Sequence, residues 1–289
     1  MKKIFTLFLI IMLMTGCAKT PKNDGRFIVY TSFGGMTDFA EMIAGDKAEI
    51  RTLIPAGVEA HDWEPGTNEM IALNEADVFI YSGMNMEPWA EGVIESVDNK
   101  DLMVIMASDG IEQKKNENAT DPHVWLNPEN ALKEMENIAN GLKKADPGNG
   151  DYYMSNLEKA KERIKELDNK YKEAVDGFEH KEIIVTHGAF GYLCDAYGLT
   201  QYTLEGMTGE SDPSSAAMRE VVDYMKGNDI KALFYIEAEG DKLASVIGKE
   251  TGASLYTLNP FENAADGKGY FEVMEENLQS MEKALGKDE

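Results

Sequence analysis

Tyr153, Leu157, Ala160, Ile164, Leu167, Tyr171 and Ala174 follow one another at alternating spacings of four and three, with lysine and glutamate filling most of the gaps. This run constrains the fold more than any other stretch of the chain. It predicts one amphipathic helix, from 151 to about 175, with a narrow apolar stripe. At ~1.5 Å per residue such a helix is about 37 Å long, the length of a small domain. The heptad run is short, and its stripe holds two alanines and two tyrosines, which makes a poor coiled-coil seam. The helix is therefore expected to lie along the body of a monomer and to join two halves.

On both sides of it, strand and helix signals alternate. β-branched and aromatic runs mark strands at 26–32, 48–54, 77–81 and 102–106, and again at 182–186, 201–204, 231–236 and 255–258. Alternation of this length implies parallel sheets with helices on their faces. The expected class is α/β: two similar α/β lobes with parallel-type sheets joined by one long rigid helix. The lobes are set at 26–147 and 178–289, with the connector at 148–177. No sequence repeat links the lobes. The one local echo, His61-x-Trp63 and His123-x-Trp125, lies within the first.

The chain begins with a targeting signal. Met1-Lys2-Lys3 is basic, and the apolar run from 4 to 14 is too short to span a bilayer, which takes about 20 residues. Met14-Thr15-Gly16-Cys17 resembles the lipobox of bacterial lipoproteins. That resemblance implies a signal peptide at 1–16, lipidation of Cys17, a polar tether to residue 25 and an extracytoplasmic protein anchored to the cell membrane. Two or more acyl chains hold such an anchor stably. Cys194, the only other cysteine, lies in an apolar helical pattern and reads as a buried small hydrophobe. The net charge of −24 argues against nucleic acid as a partner and suits a protein that handles a cation.

Four histidines occur in 289 residues. His187 directly follows the strand signal at 182–186. His61 and His123 lie in loops that follow strands, the latter after a charged segment, 107–122, that reads as a mobile loop. Ligand crevices in open parallel sheets lie outside the carboxyl ends of the strands. Three histidines delivered there from three strand–loop units form a metal-site layout, and neutral imidazole suits zinc above all. Any one loop histidine, taken alone, is more often a surface residue. His180, bracketed by Glu179 and Lys181, is assigned no role.

Several motifs occur in one order: Thr31-Ser32-Phe33, Leu53-Ile54-Pro55-Ala56-Gly57-Val58-Glu59-Ala60-His61-Asp62-Trp63-Glu64-Pro65, Met86-Glu87-Pro88-Trp89, Asp121-Pro122-His123-Val124-Trp125-Leu126-Asn127-Pro128, Thr186-His187-Gly188-Ala189-Phe190-Gly191-Tyr192-Leu193 and Asp212-Pro213-Ser214. With these, the chain resembles the substrate-binding lipoproteins of zinc or manganese ABC importers, from about 27 to 286. The resemblance implies a metal in the cleft between the lobes, held by His61, His123 and His187. It also implies Zn²⁺ as the transported ligand and an ABC permease as the partner. Histidine at the third position marks the zinc type, where manganese relatives often place a carboxylate. Many relatives supply an aspartate where this chain has Asn259. A zinc subgroup uses the glutamate of a similar Asn-Pro-x-Glu segment, which implies Glu262 as fourth ligand, with a water or Asp266 as the alternative. Phe33 is followed by Gly34-Gly35 in place of the usual aromatic and proline, a departure expected to loosen that turn.

The reading is thus a zinc receptor for uptake, not an enzyme. Manganese or iron as cargo and a surface adhesin are the alternatives. A zinc hydrolase is disfavoured, since it would need an open coordination position and a general base. Unperturbed imidazoles, with a reference pKa of about 6.5, would release metal below about pH 6.

Overall fold

The computed structural model describes residues 26–116, 119–204, 214–262 and 267–287. Cys17, Asp212, Pro213 and Asp266 lie outside them. The first lobe is built from β1 (Ile28–Thr31), α1 (Gly34–Ala44), β2 (Glu49–Thr52), α2 (Thr67–Glu75), β3 (Val78–Tyr81), α3 (Ala90–Ser96) and β4 (Met103–Met106). Its strands are parallel, in the order β2-β1-β3-β4. A short antiparallel pair, β5 (Lys115–Asn116) and β6 (Ala119–Thr120), leads to α4 (Pro128–Ala145).

The connector is α5 (Gly150–Asp176), and its 27 residues give a length of about 40 Å. The second lobe follows with β7 (Glu182–Val185), α6 (Gly191–Tyr197), β8 (Thr200–Thr203), α7 (Ser215–Gly227), β9 (Ala232–Tyr235), α8 (Lys242–Thr251), β10 (Ser254–Thr257) and α9 (Tyr270–Leu285). Its parallel strands run β10-β9-β7-β8, the order of the first sheet read from the other edge. The two α/β lobes therefore repeat one topology that their sequences do not announce. In each, the order reverses beside the first strand, and the crevice at that point opens at the strands' carboxyl ends.

The predicted stripe of α5 is buried from Tyr153 to Tyr171, and Val175 rather than Ala174 continues it. Near its start, Asn156 Nδ2 donates to Ile43 O of α1 at 3.0 Å. Near its end, Tyr171 OH donates to Met274 O of α9 at 2.7 Å. One continuous apolar core runs from Val29 in the first sheet through this stripe to Leu285. Wide separation of the lobes would expose that core, so motion on ligand binding is expected to be small. Leu167 is 2% exposed. Leu167→Ala should therefore cost about 2–5 kcal/mol, seen as a lower urea midpoint with an unchanged slope.

The described residues of the 107–122 segment carry more structure than its charge suggests. Besides the strand pair, Lys114 carries it across to the second lobe. Lys114 Nζ reaches Asp195 Oδ2 at 2.6 Å and Gly191 O at 3.0 Å, and its backbone N–H donates to Tyr192 OH at 2.8 Å. One charge of the segment, that of Lys114, thus bridges the lobes.

Candidate metal centre

His123 is placed by its own neighbours. Asp121 Oδ1 accepts from the His123 backbone N–H at 3.1 Å and lies 2.9 Å from its Nδ1. Both side chains are fully buried. A 3-10 turn over Val124–Leu126 follows. Asn127 then caps α4, its side chain accepting from Glu129 N at 2.9 Å with Pro128 at the first helical position, where a missing N–H costs nothing. Trp125 fills the core and donates Nε1–H to Pro260 O at 2.7 Å. Tyr270 OH returns to Trp125 O at 2.8 Å. The first lobe's histidine segment is thereby fastened to the second lobe's Glu262 loop.

That loop is shaped by Asn259. Its Oδ1 accepts from Phe261 N at 2.8 Å, while Asn277 holds the Asn259 N–H and carbonyl, each at 2.8 Å. Phe261 takes a left-handed backbone, φ +61°, which turns Glu262 inward. Asn259, at the position where many relatives place an aspartate, thus serves as the clamp of the turn. The Gly34-Gly35 departure also finds its reason here. A Cβ on Gly35 would stand 2.9 Å from Phe261 O and 2.7 Å from the Phe33 ring. Glycine lets the start of α1 approach the loop closely.

One ligand atom each from His61, His123, His187 and Glu262 lies within 4.8 Å of the others, and all four residues are buried. His123 Nε2 is 2.9 Å from Glu262 Oε1 and 3.5 Å from His187 Nε2, and His187 Nε2 is 3.8 Å from the same oxygen. The rings of His61 and His123 meet edge to face at 5.4 Å, those of His123 and His187 at 5.3 Å. Neither nitrogen of His61 has a hydrogen-bond partner among the described residues. Two buried, unpaired ring nitrogens are costly unless something absent from the protein itself binds them. Borderline-soft nitrogens with one carboxylate oxygen, close enough to converge on one ion, fit a divalent metal.

The electrostatics differ from one ligand to the next. Burial pushes His61 down to about 4, so its imidazole is neutral at physiological pH. Burial also opposes charge on His123, but the hydrogen bonds it donates to the Asp121 and Glu262 carboxylates outweigh it and raise His123 to about 9. Burial would raise Glu262, yet its bond to His123 and the other two histidines hold it down near 2. Without metal, His123 and Glu262 form a charged pair that a cation would replace. Glu59 rises to about 7, through burial and the Glu262 charge.

Beside the cluster, a cavity of about 320 Å³ is lined by Glu59, Glu237, Glu239, Glu262 and Glu276, among others. Asp121 and Glu239, which contact histidine rings here, were not singled out from sequence. Asp121 could have been, because it stands two residues from a candidate ligand. Glu239 lies 52 residues from His187 and carries no local signal.

Known proteins resemble this chain in both sequence and fold. Over 284 residues the chain is 33% identical to the high-affinity zinc uptake system protein ZnuA of Bacillus subtilis, covering 91% of this chain and 89% of that protein. It is 30% identical to the zinc-binding lipoprotein AdcA of Streptococcus pneumoniae, of which it spans 62%. Among solved structures, the Zn(II)-bound ZnuA-like domain of S. pneumoniae AdcA superposes with a TM-score of 0.82 at 31% identity, covering 91% of this chain and 100% of that one. The laminin-binding protein Lmb of Streptococcus agalactiae, described as a bifunctional protein with adhesin and metal-transporting activity, superposes at 0.84 with 30% identity, covering 90% and 99%. The profile of the periplasmic zinc-uptake complex component A matches residues 29–284, and the chain belongs to this ZnuA family.

Proposed function

We propose that the protein is an extracytoplasmic zinc receptor that binds Zn²⁺ through His61, His123, His187 and Glu262 and delivers it to a membrane ABC permease. The convergence of four buried donor atoms within 4.8 Å carries this reading. Three nitrogens and one oxygen match tetrahedral zinc, whereas manganese favours more oxygen ligands. Four protein ligands fill the shell, leaving no position for a reactive water, so the site binds without catalysing. The net charge of −24 favours cations around the protein.

Residues 26–147 and 178–289 form the two ligand-bearing lobes and 148–177 the strut between them. The signal segment at 1–16, lipidated Cys17 and a tether to 25 hold the monomer at the membrane. No helix among the described residues is long and apolar enough to cross a membrane.

The test is competitive titration of Zn²⁺ against Mn²⁺ on the soluble form starting at residue 18. Zinc should bind at least about 100-fold more tightly, a difference of about 2.7 kcal/mol. His187→Ala and Glu262→Ala should each weaken it; unchanged zinc affinity in both would remove the site as drawn. The likeness to Lmb gives a second reading, an adhesive role on the same surface. Attachment to a host protein that ignores metal loading would be its mark.

A further inference from the structure

His123 and His187 present their Nε2 atoms to the cluster from opposite lobes, 3.5 Å apart. Behind each ring stands a carboxylate at Nδ1: Asp121 Oδ1 at 2.9 Å for His123, and Glu239 Oε1 at 3.2 Å for His187. His187 is 1% exposed, and its Nδ1 makes no aligned hydrogen bond among the described residues. His61 has no comparable support, since both of its nitrogens are without a partner there. Glu239 ends the 3-10 turn Glu237–Glu239, which follows β9 directly, beside β7. Its backbone N–H donates to Ile236 O at 3.1 Å, and Gly240 leaves the turn at φ +85°. The turn is thus short, closed and anchored on the strand next to the one that delivers His187.

A ligating imidazole uses one nitrogen for the metal, and the group that accepts the other N–H fixes its tautomer, its orientation and its basicity. We propose that Glu239 is a positioning residue that accepts the Nδ1 proton of His187 and so directs the Nε2 lone pair at the ion. This rests on the zinc-receptor reading and extends it to a residue outside the ligand set. The two supports differ in access. The Asp121 side chain is sealed, whereas that of Glu239 is 34% exposed and forms part of the cavity wall. Of the two imidazole supports, the second lobe's is the one reachable from solvent.

The test compares Glu239→Ala, Glu239→Gln and Glu237→Gln, the last removing a neighbouring charge from the same cavity wall. Zinc affinity is measured by chelator competition, and the ring N–H signals by nitrogen-15 histidine spectra of the zinc-loaded protein. Glu239→Ala should weaken zinc about 10–100-fold, with Glu239→Gln losing less because it keeps an oxygen acceptor. Glu237→Gln should stay within about twofold, as expected for a surface charge. In Glu239→Ala the His187 Nδ1–H signal should shift and exchange faster with solvent, while that of His123 stays put. An unmoved His187 signal, or a loss of affinity equalled by Glu237→Gln, would overturn the assignment. If the wild-type chain takes up no zinc, the metal reading itself falls, and this assignment with it.

Discussion

His123→Ala is expected to weaken zinc binding at least about 100-fold and to destabilise the metal-free protein by about 3–5 kcal/mol. The first effect follows from the ligand count. Four-ligand zinc sites are worth about 10–16 kcal/mol, so one ligand carries about 3 kcal/mol, and 1.4 kcal/mol is a factor of ten. The second follows from what surrounds the ring. His123 is the shared partner of Asp121 and Glu262, both buried, and its removal leaves two carboxylates without their cation. Deleting one member of a buried pair costs this much because the remaining charge stays desolvated. His61→Ala provides the contrast. It removes a ligand but no hydrogen bond, since neither His61 nitrogen is partnered among the described residues. It should cost a similar share of affinity and about 2 kcal/mol less metal-free stability than His123→Ala. Chelator competition and urea unfolding measure the two quantities, and equal stability losses would show that the His123 pairs do not operate.

The second large effect is on pH. Zinc requires neutral His123, and in the metal-free protein this imidazole is held protonated up to about 9. Each bound zinc should therefore release about one proton, and the Kd should rise about tenfold for every pH unit lowered between 8 and 5. His61, depressed to about 4, adds a second proton only below that range. Metal-free stability runs the other way. A folded value raised above the unfolded 6.5 gives a contribution fully present below about 6.5 and lost as pH rises through about 9. Glu262, depressed to about 2, contributes above its ordinary 4.5, and that is lost as pH falls through 2. The metal-free and zinc-loaded proteins should thus diverge in thermal stability as pH increases. Calorimetry in two buffers of different ionisation enthalpy counts the proton. A Kd flat from pH 8 to 7 and rising only below about 6, as unperturbed imidazoles would give, would refute the raised His123 value.

Much of the architecture is written in local pattern. A buried strand needs a short β-branched run, and an exposed helix with one buried face needs apolar residues at spacings of three and four. Both requirements survive in Glu182–Val185 and in the α5 stripe, so the lobes and the connector could be placed without coordinates. The end of the stripe shifted from Ala174 to Val175, which stands four residues after Tyr171 and so keeps to the same helix face. The contacts of Lys114 in the 107–122 segment were not legible. Charge predicts solvation unless a partner lies across the chain, and the partners of Lys114 are residues 77–81 positions away.

The sequence alone determined that His187 stands at the carboxyl end of a strand, because a strand and the residues that follow it are covalently joined, and that His61 and His123 lie in loops that follow strands. Glu262 entered through a shared Asn-Pro-x-Glu segment, not through any periodicity. Only the tertiary structure decided which atoms meet. The strand order within each lobe, the Trp125–Pro260 bond over 135 residues, the clamp of Asn277 on Asn259 and the place of Glu239 behind His187 all depend on segments distant in sequence packing together. Such contacts join positions with no covalent or periodic relation. The same packing buries His123 between Asp121 and Glu262 and leaves His61 unpartnered among the described residues, so residues of one type acquire opposite shifts from their surroundings.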